Sequence, residues 1–240
     1  MHDQFIRMEM LFGREAMERL AHSHVIVFGV GGVGSYVAEC LARSGVGELT
    51  LVDSDAVALS NLNRQIQALH STLGKNKVDA VAERCRDINP AITVHPICGL
   101  YSADTRDAFW QGNYDYVADC IDLVSCKLDL ILQARERNIP IISALGTGNK
   151  LDPTQLQITD ISKTFGCPLA RVMRKELRGR GVEHLQVVFS PEEAAPTEQL
   201  ETPPPGRRSI PASVPWVPSC AGLMMGGHIV QTLAKGEKEI

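Results

Sequence analysis

A run of glycines near the start of the chain has the pattern of a phosphate-binding turn. Four glycines lie within residues 29–34, between a short apolar run at residues 25–28 and a segment with helical spacing at residues 35–43. Glycine has no Cβ, so a ligand can approach its backbone closely. The first N–H groups of a helix are unpaired and carry partial positive charge, which attracts anions. We expect three of these glycines to contact the phosphates of a nucleotide: Gly29, Gly31 and Gly32.

A carboxylate follows at the distance expected of a nucleotide-binding fold. The apolar run at residues 49–52 ends at Asp53. In Rossmann-type sites a carboxylate about 20 residues beyond the glycine turn binds a ribose hydroxyl. We therefore assign Asp53 to the ribose. This spacing alone fits a dinucleotide and ATP equally well, and a glycine turn that binds no ligand remains the alternative.

Polar residues after Asp53 favour ATP. Arg64 and Lys77 supply positive charge, and Asn61 supplies an amide to orient a triphosphate. The pyrophosphate of a dinucleotide is already bound by the helix start, whereas a triphosphate requires additional cations. The alternative is that Arg64 and Lys77 are surface charges. The chain contains no Gly-x-x-x-x-Gly-Lys-Ser/Thr sequence, which excludes a P-loop ATPase.

A second carboxylate has the position of a magnesium ligand. Asp122 ends a predicted strand at residues 115–122. Ligands of open α/β sheets bind at the carboxyl ends of the strands. A carboxylate that faces phosphates is a ligand for Mg²⁺. We therefore assign Asp122 to a magnesium ion bound with ATP; the alternative is that it caps the following helix.

The elements that must position these residues alternate along the chain. Helical spacing occurs at residues 75–88 and 128–136, and further strands are predicted at residues 92–97 and 139–144. This rhythm predicts an α/β fold, with a Rossmann-like, doubly wound, mainly parallel sheet that has helices on both faces. The predicted nucleotide-binding core spans residues 5–160.

The last third of the chain has a different character. Residues 161–190 contain a predicted basic helix, at residues 168–180, and a strand. Eight of the 13 prolines lie in residues 191–218, which predicts a mobile, extended crossover segment. Residues 219–240 form the predicted C-terminal helix.

Composition excludes several classes of protein. The 240 residues are 44% hydrophobic and 22% charged, as in an ordinary globular domain. A net charge of −4 argues against a protein that coats nucleic acid through bulk charge. The chain shows no secretory signal and no apolar run long enough for a membrane span. The seven cysteines form no Cys-x-x-Cys pair, so we expect cytoplasmic thiols and no zinc.

Taken together, the motifs resemble the adenylating domain of the ubiquitin-activating superfamily. The residues that carry the resemblance are Arg7 ahead of Leu11-Phe12-Gly13, the glycine run, Asp53-x-Asp55, Ser60-Asn61-Leu62-Asn63-Arg64-Gln65, Lys77 and Asp122. Residues 159–164 and 167–174 are similar to the tRNA threonylcarbamoyladenosine dehydratase branch of that superfamily. The resemblance covers nearly the whole chain and implies one adenylating domain over residues 1–240.

This resemblance implies an ATP-dependent enzyme that activates a carboxylate as an acyl-adenylate. In the tRNA branch, the activated threonylcarbamoyladenosine then cyclises with loss of water. The implied catalytic groups are Arg64, Lys77 and Asp122 with Mg²⁺, and the family homodimer brings Arg7 to the partner's ATP. The alternative is an adenylyltransferase for the C-terminus of a ubiquitin-like sulfur carrier. Relatives with that function usually carry two Cys-x-x-Cys zinc pairs, which this chain lacks.

Two functions outside this superfamily chemistry stay open. One is an NAD-dependent oxidoreductase, for which no hydride-transfer residues are visible. The second is a non-catalytic scaffold that binds a nucleotide without turnover.

The last third of the chain also carries candidate contacts to partners. From Lys163 to His184 six basic residues accompany two acidic ones. We expect the basic region at residues 163–180 to bind tRNA, with Arg207 and Arg208 as additions, unless it is a solvated helix face. Ubiquitin-activating relatives use a cysteine beyond the core as a thioester. Cys167 and Cys220 are the candidates here, and a sulfur-transfer partner is a further expectation.

Overall fold

Helices and strands alternate along the chain in the computed structural model, which describes residues 3–203 and 210–236. The strands are β1 His24–Phe28, β2 Glu48–Asp53, β3 Thr93–Cys98, β4 Tyr116–Asp119, β5 Ile141–Ala144, β6 Gln157–Asp160 and β7 Gln186–Phe189. The helices are α1 Ile6–Phe12, α2 Arg14–Ala21, α3 Gly34–Arg43, α4 Lys77–Ile88, α5 Val124–Glu136, α6 Pro168–Arg178 and α7 Trp216–Lys235.

The strands form one sheet in the order β3-β2-β1-β4-β5-β7-β6. All neighbouring pairs are parallel except β6 and β7, which are antiparallel. The chain runs outward from β1 to β3 and then crosses back to β4. The carboxyl ends of β1 and β4 therefore meet at the point where the strand order reverses, which is where open sheets bind ligands. The Rossmann-like fold predicted from the sequence is confirmed.

Apolar residues on β1 point alternately to two separate cores, because successive side chains of a strand point to opposite faces. Val25 and Val27 pack with α2, α3, α4 and α7 on one face. Ile26 and Phe28 pack with α5 and α6 on the other. The sheet is thus covered on both faces, as the continuous apolar run at residues 25–28 predicted.

Packing of α7 against α3 depends on small residues. A Cβ on Gly222 would overlap the carbonyl oxygen of Val33, and a Cβ on Gly226 would lie 2.6 Å from the Cβ of Cys40. The two helices therefore approach closely, which fixes the start of α3 and the turn before it. Among the described residues, no helix is long and apolar enough to cross a membrane.

Several predicted helix boundaries were wrong. α4 begins at Lys77 rather than at residue 75, and α5 begins at Val124, four residues before the predicted start at residue 128. The C-terminal helix begins at Trp216, earlier than residue 219. Pro218 lies in its first turn, where the missing N–H costs no hydrogen bond. The basic helix ends at Arg178 rather than at residue 180. Gly181, in the turn beyond the helix, has a φ of +76°.

The described part of the proline-rich segment, residues 191–203 and 210–215, forms neither helix nor strand. Its backbone is bonded to the loop that contains Asn149. The N–H of Ala195 donates to the carbonyl oxygen of Asn149 at 2.9 Å, and the N–H of Ala212 donates to Asn149 Oδ1 at 2.7 Å. The mobility expected of this segment stays a prediction.

Candidate active site

The turn between β1 and α3 contains two glycines that the fold itself requires. Gly29 has a φ of +82°, and a Cβ there would lie 2.8 Å from the carbonyl oxygen of Cys120. A Cβ on Gly34 would overlap the carbonyl oxygen of Gly29. Neither position accepts a larger residue unless the backbone moves. These two glycines therefore fix the shape of the turn.

The two glycines between them face more open space. A Cβ on Gly31 would meet only Gln65 Nε2, at 3.7 Å. A Cβ on Gly32 would lie 3.4 Å from Pro218 Cβ and 3.6 Å from Arg64 Cγ, which are ordinary van der Waals distances. Packing therefore does not require glycine at either position. Its effect there is to keep the backbone accessible, as a phosphate cradle at the start of a helix needs.

The peptide groups on both sides of Val30 are fixed by buried side chains. The N–H of Val30 donates to Asp53 Oδ2 at 2.8 Å, and its carbonyl oxygen accepts a bond from Gln67 Nε2 at 2.9 Å. Asp53 Oδ1 also accepts a bond from the N–H of Asp55, at 2.9 Å. Burial raises the pKa of Asp53, and the charge of Lys77 opposes that shift. Asp53 thus lies at the glycine turn, and its predicted contact with a ribose would use the remaining lone pairs.

Gln67 is a site residue that the sequence analysis missed. It is 2% exposed, and its amide donates both to Val30 and to Gln65 Oε1, the latter at 3.1 Å. Gln67 lies two residues beyond the polar motif that ends at Gln65. Nothing in its type or spacing indicates a contact with the glycine turn.

Arg64 lies beside the glycine turn, as predicted. The stem of its side chain passes over Gly32. Its Nη1 donates to the carbonyl oxygen of Ser60 at 2.7 Å and to Asn63 Oδ1 at 2.9 Å. Burial lowers the pKa of Arg64, but a guanidinium stays charged at neutral pH. A half-buried cation therefore faces the cradle.

Asn61 has a structural role in the same loop. Its Oδ1 accepts a bond from the N–H of Ala58 at 3.0 Å, and the residue is 8% exposed. The side-chain oxygen thus closes the turn that carries Arg64. The predicted contact of Asn61 with a triphosphate stays a prediction.

Lys77 brings a second cation to the end of β2. It is the first residue of α4 and is 6% exposed, and its Nζ lies 2.7 Å from Asp55 Oδ2. The side chain of Asp55 is itself 65% exposed. The ammonium group is therefore held close to Asp53 by a carboxylate that solvent or a ligand can reach.

The loop at residues 120–123 places Asp122 at the same edge of the sheet. The N–H of Cys120 donates to the carbonyl oxygen of Phe28 at 2.8 Å, and its own carbonyl oxygen lies against Gly29. Asp122 is exposed two residues later. Its carboxylate belongs to the loop that touches the glycine turn, which suits a ligand for Mg²⁺.

A fully buried ion pair holds this loop. Lys127 Nζ lies 2.8 Å from Asp119 Oδ2, and neither side chain is exposed to solvent. Ser143 Oγ donates to the same carboxylate oxygen at 2.5 Å. The N–H of Ile121 donates to Asp119 Oδ1 at 3.2 Å, and its carbonyl oxygen accepts a bond from Lys127 Nζ at 2.9 Å. The backbone of Ile121 is therefore bonded to the ion pair.

These bonds correct one prediction. β4 ends at Asp119 and not at Asp122, since the backbone of Ile121 has left the ladder. Asp122 lies in the loop beyond the strand.

Comparison with known proteins assigns this arrangement to a family. Residues 5–239 match the ThiF family. The chain belongs to the ThiF family. It is 44% identical to the tRNA threonylcarbamoyladenosine dehydratase of Bacillus subtilis over 241 residues. The alignment covers 97% of this chain and 95% of that relative.

A solved structure supports the same placement within the ThiF family. The Escherichia coli tRNA N6-threonylcarbamoyladenosine dehydratase in complex with ATP matches with a TM-score of 0.87 and 34% identity, over 99% of this chain and 96% of that one. The Escherichia coli molybdopterin-synthase adenylyltransferase is 36% identical over 132 residues, which is 55% of this chain and 53% of that relative.

The two candidate thiols of this ThiF-family chain lie in different surroundings. Cys167 is 4% exposed and caps the start of α6, where its Sγ accepts a bond from the N–H of Ala170 at 3.5 Å. The same sulfur lies against Gly146, just beyond β5. Cys220 is partly buried within α7. The cap and burial account for Cys167 as a structural residue, and a covalent role for either cysteine stays a prediction.

Arg7 lies on α1, a helix with no buried residue. It is exposed, and so are three apolar residues of the same helix, whereas Met8 and Phe12 pack partly against the core. Ile6 is 57% exposed, and Met10 and Leu11 are each 82% exposed. Phe5, which precedes α1, lies against Gly45, just before the start of β2 and thus at the end of the sheet opposite the glycine turn.

The basic region divides into internal and external groups. Arg174 donates to the carbonyl oxygen of Thr164 at 2.7 Å, and Arg180 pairs with Glu176 at 2.7 Å. Arg180 is nevertheless exposed. The external group consists of the other exposed basic side chains: Lys163, Arg171, Lys175 and Arg178. Arg207 and Arg208 lie outside the described residues.

Proposed function

We propose that this ThiF-family protein uses ATP to dehydrate threonylcarbamoyladenosine in tRNA through an acyl-adenylate. The observation that carries the proposal is the extent of the likeness. Identity to the Bacillus subtilis dehydratase extends over 97% of the chain, including the basic region. The match to a molybdopterin-synthase adenylyltransferase covers 55%. An ATP site at the reversal point of the sheet is supported by the glycine turn and the charged residues beside it.

Different residues bind the phosphates and the ribose of the nucleotide. The backbone of Gly31 and Gly32 and the start of α3 bind the phosphates, and Gly29 shapes the turn. Asp53 binds the ribose. Arg64, which is half-buried, and Lys77, which is buried, balance the charge of the triphosphate and of the pyrophosphate that leaves. Asn61 keeps the loop of Arg64 in place and orients the triphosphate.

The chemistry follows from the poor reactivity of a free carboxylate. A carboxylate oxygen of the threonyl group attacks the α-phosphorus of ATP, and the bond to the β,γ-pyrophosphate breaks. The acyl-adenylate that results has AMP as a good leaving group. The neighbouring carbamoyl group then closes on the activated carbonyl, loses a proton and releases AMP with the former carboxylate oxygen. The closure is intramolecular, so a high effective molarity replaces an enzyme nucleophile.

Magnesium fits the acidic side of this site. Asp122 is exposed on a loop that touches Gly29, and carboxylate oxygen is the donor that Mg²⁺ prefers. When bound, Mg²⁺ neutralises charge on the phosphates. The buried pair of Asp119 and Lys127 holds the loop that carries Asp122 in one position.

A homodimer completes the site in this proposal. Arg7 of a second copy reaches the ATP, and the exposed apolar residues of α1 supply the contact surface. Burying Met10 and Leu11 removes apolar area from water, which favours association. A sulfur-transfer partner and a cytoplasmic location stay predictions.

The tRNA binds on the exposed face of the basic region. Lys163, Arg171, Lys175 and Arg178 are available for phosphates, and the exposed ring of Phe165 can stack on an unpaired base. Cys167 caps the start of α6, and its sulfur lies against Gly146 beyond β5, at the carboxyl edge of the sheet. A tRNA on this face is thus brought to the edge that holds ATP.

Mass spectrometry of nucleosides tests the function. The full-length protein is incubated with Mg-ATP and tRNA that carries threonylcarbamoyladenosine. We expect the modified nucleoside to lose one water, and AMP and pyrophosphate to appear in equal amounts. Asp122→Asn, which keeps the shape of the side chain, is the matched control, and its turnover should be lower by about 100-fold or more.

The sulfur-carrier alternative gives a different result in the same assay. Pyrophosphate release that requires a carrier-protein tail and ignores tRNA would replace our proposal with that function. If neither tRNA nor a carrier protein led to release of AMP and pyrophosphate, both functions would be overturned.

A further inference from the structure

Three metal-ligating side chains meet at the end of the sheet opposite the nucleotide site. His24 begins β1, Glu48 begins β2 and His95 lies within β3. The parallel register pairs His24 with Glu48 and pairs Thr50 with His95. Because Glu48 and Thr50 are two residues apart, they point to the same face. Three adjacent strands therefore each present one ligand on one face.

The ligand atoms lie at distances that a metal ion can span. Glu48 Oε1 is 2.7 Å from His95 Nε2 and 3.6 Å from His24 Nδ1. One ligand atom from each of the three residues lies within 4.8 Å of the others. Bonds of about 2 Å to Zn²⁺ place tetrahedral ligands about 3.3 Å apart. The side chains of His95 and Glu48 are 49% and 41% exposed, so they can rotate to reach that spacing.

His24 is already oriented for this role. Its Nε2 is bonded to Thr50 Oγ1 at 2.8 Å, and the ring packs edge-on against Tyr114 with centroids 4.7 Å apart. His24 is 9% exposed, so the ring has little freedom to turn. Its Nδ1 lies 3.6 Å from Glu48 Oε1, and the ring is also hydrogen-bonded to the backbone of Asn113. Metal-bound histidines are held in this way through the nitrogen that does not bind the metal.

We propose that His24, Glu48 and His95 bind one divalent transition-metal ion, with Zn²⁺ the best match, and that water completes the coordination. Two imidazoles, one carboxylate and an open position are a common donor set for zinc. The ion joins β1, β2 and β3 at their amino ends. No sequence motif marks this site, because the histidines are far apart in the chain, and the absence of cysteine pairs led us to expect no zinc.

The test uses the full-length protein and Zn²⁺ alone. After treatment with a chelator, Zn²⁺ is titrated by calorimetry, and Co²⁺ is bound in its place to record its visible absorption. We expect one ion per chain. His95→Ala should weaken binding by about 100-fold or more, and Thr50→Val, which only loosens His24, by about 10-fold. His70→Ala, which removes an exposed histidine elsewhere, should bind as the wild type does.

All these proteins carry the same seven cysteines, so adventitious binding to thiols is common to them. Circular dichroism checks that each variant folds, and Glu48→Gln provides a second variant of almost unchanged shape. Equal Zn²⁺ affinity in the wild type, His95→Ala and Glu48→Gln would overturn the proposal. So would a wild-type protein that binds no Zn²⁺. Neither outcome involves ATP, so neither bears on the proposed dehydratase activity.

Discussion

Two loops meet at the nucleotide edge of the sheet, and they are held in opposite ways. The glycine turn, residues 29–34, is fixed by close backbone contacts that leave no space for a Cβ at Gly29 or Gly34. The loop at residues 120–123 is fixed by charge, through the buried pair of Asp119 and Lys127. One loop is disrupted by adding an atom and the other by removing a charge.

The two devices are coupled because the loops touch. The carbonyl oxygen of Cys120 lies against Gly29, so a shift in either loop moves the other. An added methyl group in the glycine turn has a local effect, since it displaces only the atoms that it contacts. Removing one partner of the buried ion pair costs more stability, because the remaining charge has no water to solvate it. Substitutions in the two loops should therefore differ in how much they lower stability and how much they weaken nucleotide binding.

The largest effect should come from Lys127→Met. It leaves the carboxylate of Asp119 buried without a counter-charge, and breaking a buried pair from one side costs about 3–5 kcal/mol of the free energy of unfolding. Urea denaturation measures this loss. Arg135→Met, an exposed position on the same helix, is the control and should change the free energy of unfolding by less than about 0.5 kcal/mol.

A double variant sharpens this comparison. Asp119→Leu with Lys127→Met removes both charges, and apolar replacement of a buried pair is often neutral for stability. We expect stability to recover while Mg-ATP binding stays weak, because Ile121 no longer has partners that hold the Asp122 loop. Full recovery of Mg-ATP binding would mean that the ion pair does not position the loop.

Next in size is Asp122→Asn. Removing a group that stabilises charge in the transition state typically costs about 100-fold or more in turnover, which is about 2.7 kcal/mol. The side chain is exposed, so stability should change by less than about 0.5 kcal/mol. Single-turnover assays and a Mg²⁺ titration measure the effect. Wild-type turnover in this variant would show that Asp122 does not take part in the reaction.

A smaller effect is expected at the glycine turn. In Gly34→Ala the new Cβ overlaps the carbonyl oxygen of Gly29, and such overpacking costs about 1–3 kcal/mol of stability. ATP affinity should fall with it, because the turn must open. Gly227→Ala is the matched control, since a Cβ there meets nothing within 4 Å. That variant should gain up to about 1 kcal/mol as a helix-interior glycine is replaced.

The same contrast explains what the sequence could and could not predict. The glycine turn was visible because its contacts demand one residue type at fixed spacing. Asp53, Arg64 and Lys77 were predicted because charged residues there match a nucleotide site. The structure places Asp53 and Arg64 at the glycine turn and Lys77 near Asp53, and their contacts with a nucleotide stay predictions. Gln67 and Lys127 were not found. Their partners come from other strands and turns, so no local pattern marks them, and the end of β4 was placed three residues too late for the same reason.

The smallest effect should come from the basic region, where the side chains of Arg171 and Lys175 are exposed to solvent. Arg171→Gln with Lys175→Gln removes two exposed charges, each of which contributes about 0.9 to the slope of log affinity against log salt if it contacts a phosphate. We expect weaker tRNA binding, a slope lower by about 2, and unchanged ATP binding, since both side chains point to solvent. Filter binding at several salt concentrations measures both the affinity and the slope. Arg14→Gln, an exposed arginine on α2, is the control and should leave the slope as it is. An unchanged slope in the double variant would show that tRNA lies on another face, and the link between the basic helix and the nucleotide edge would then be lost.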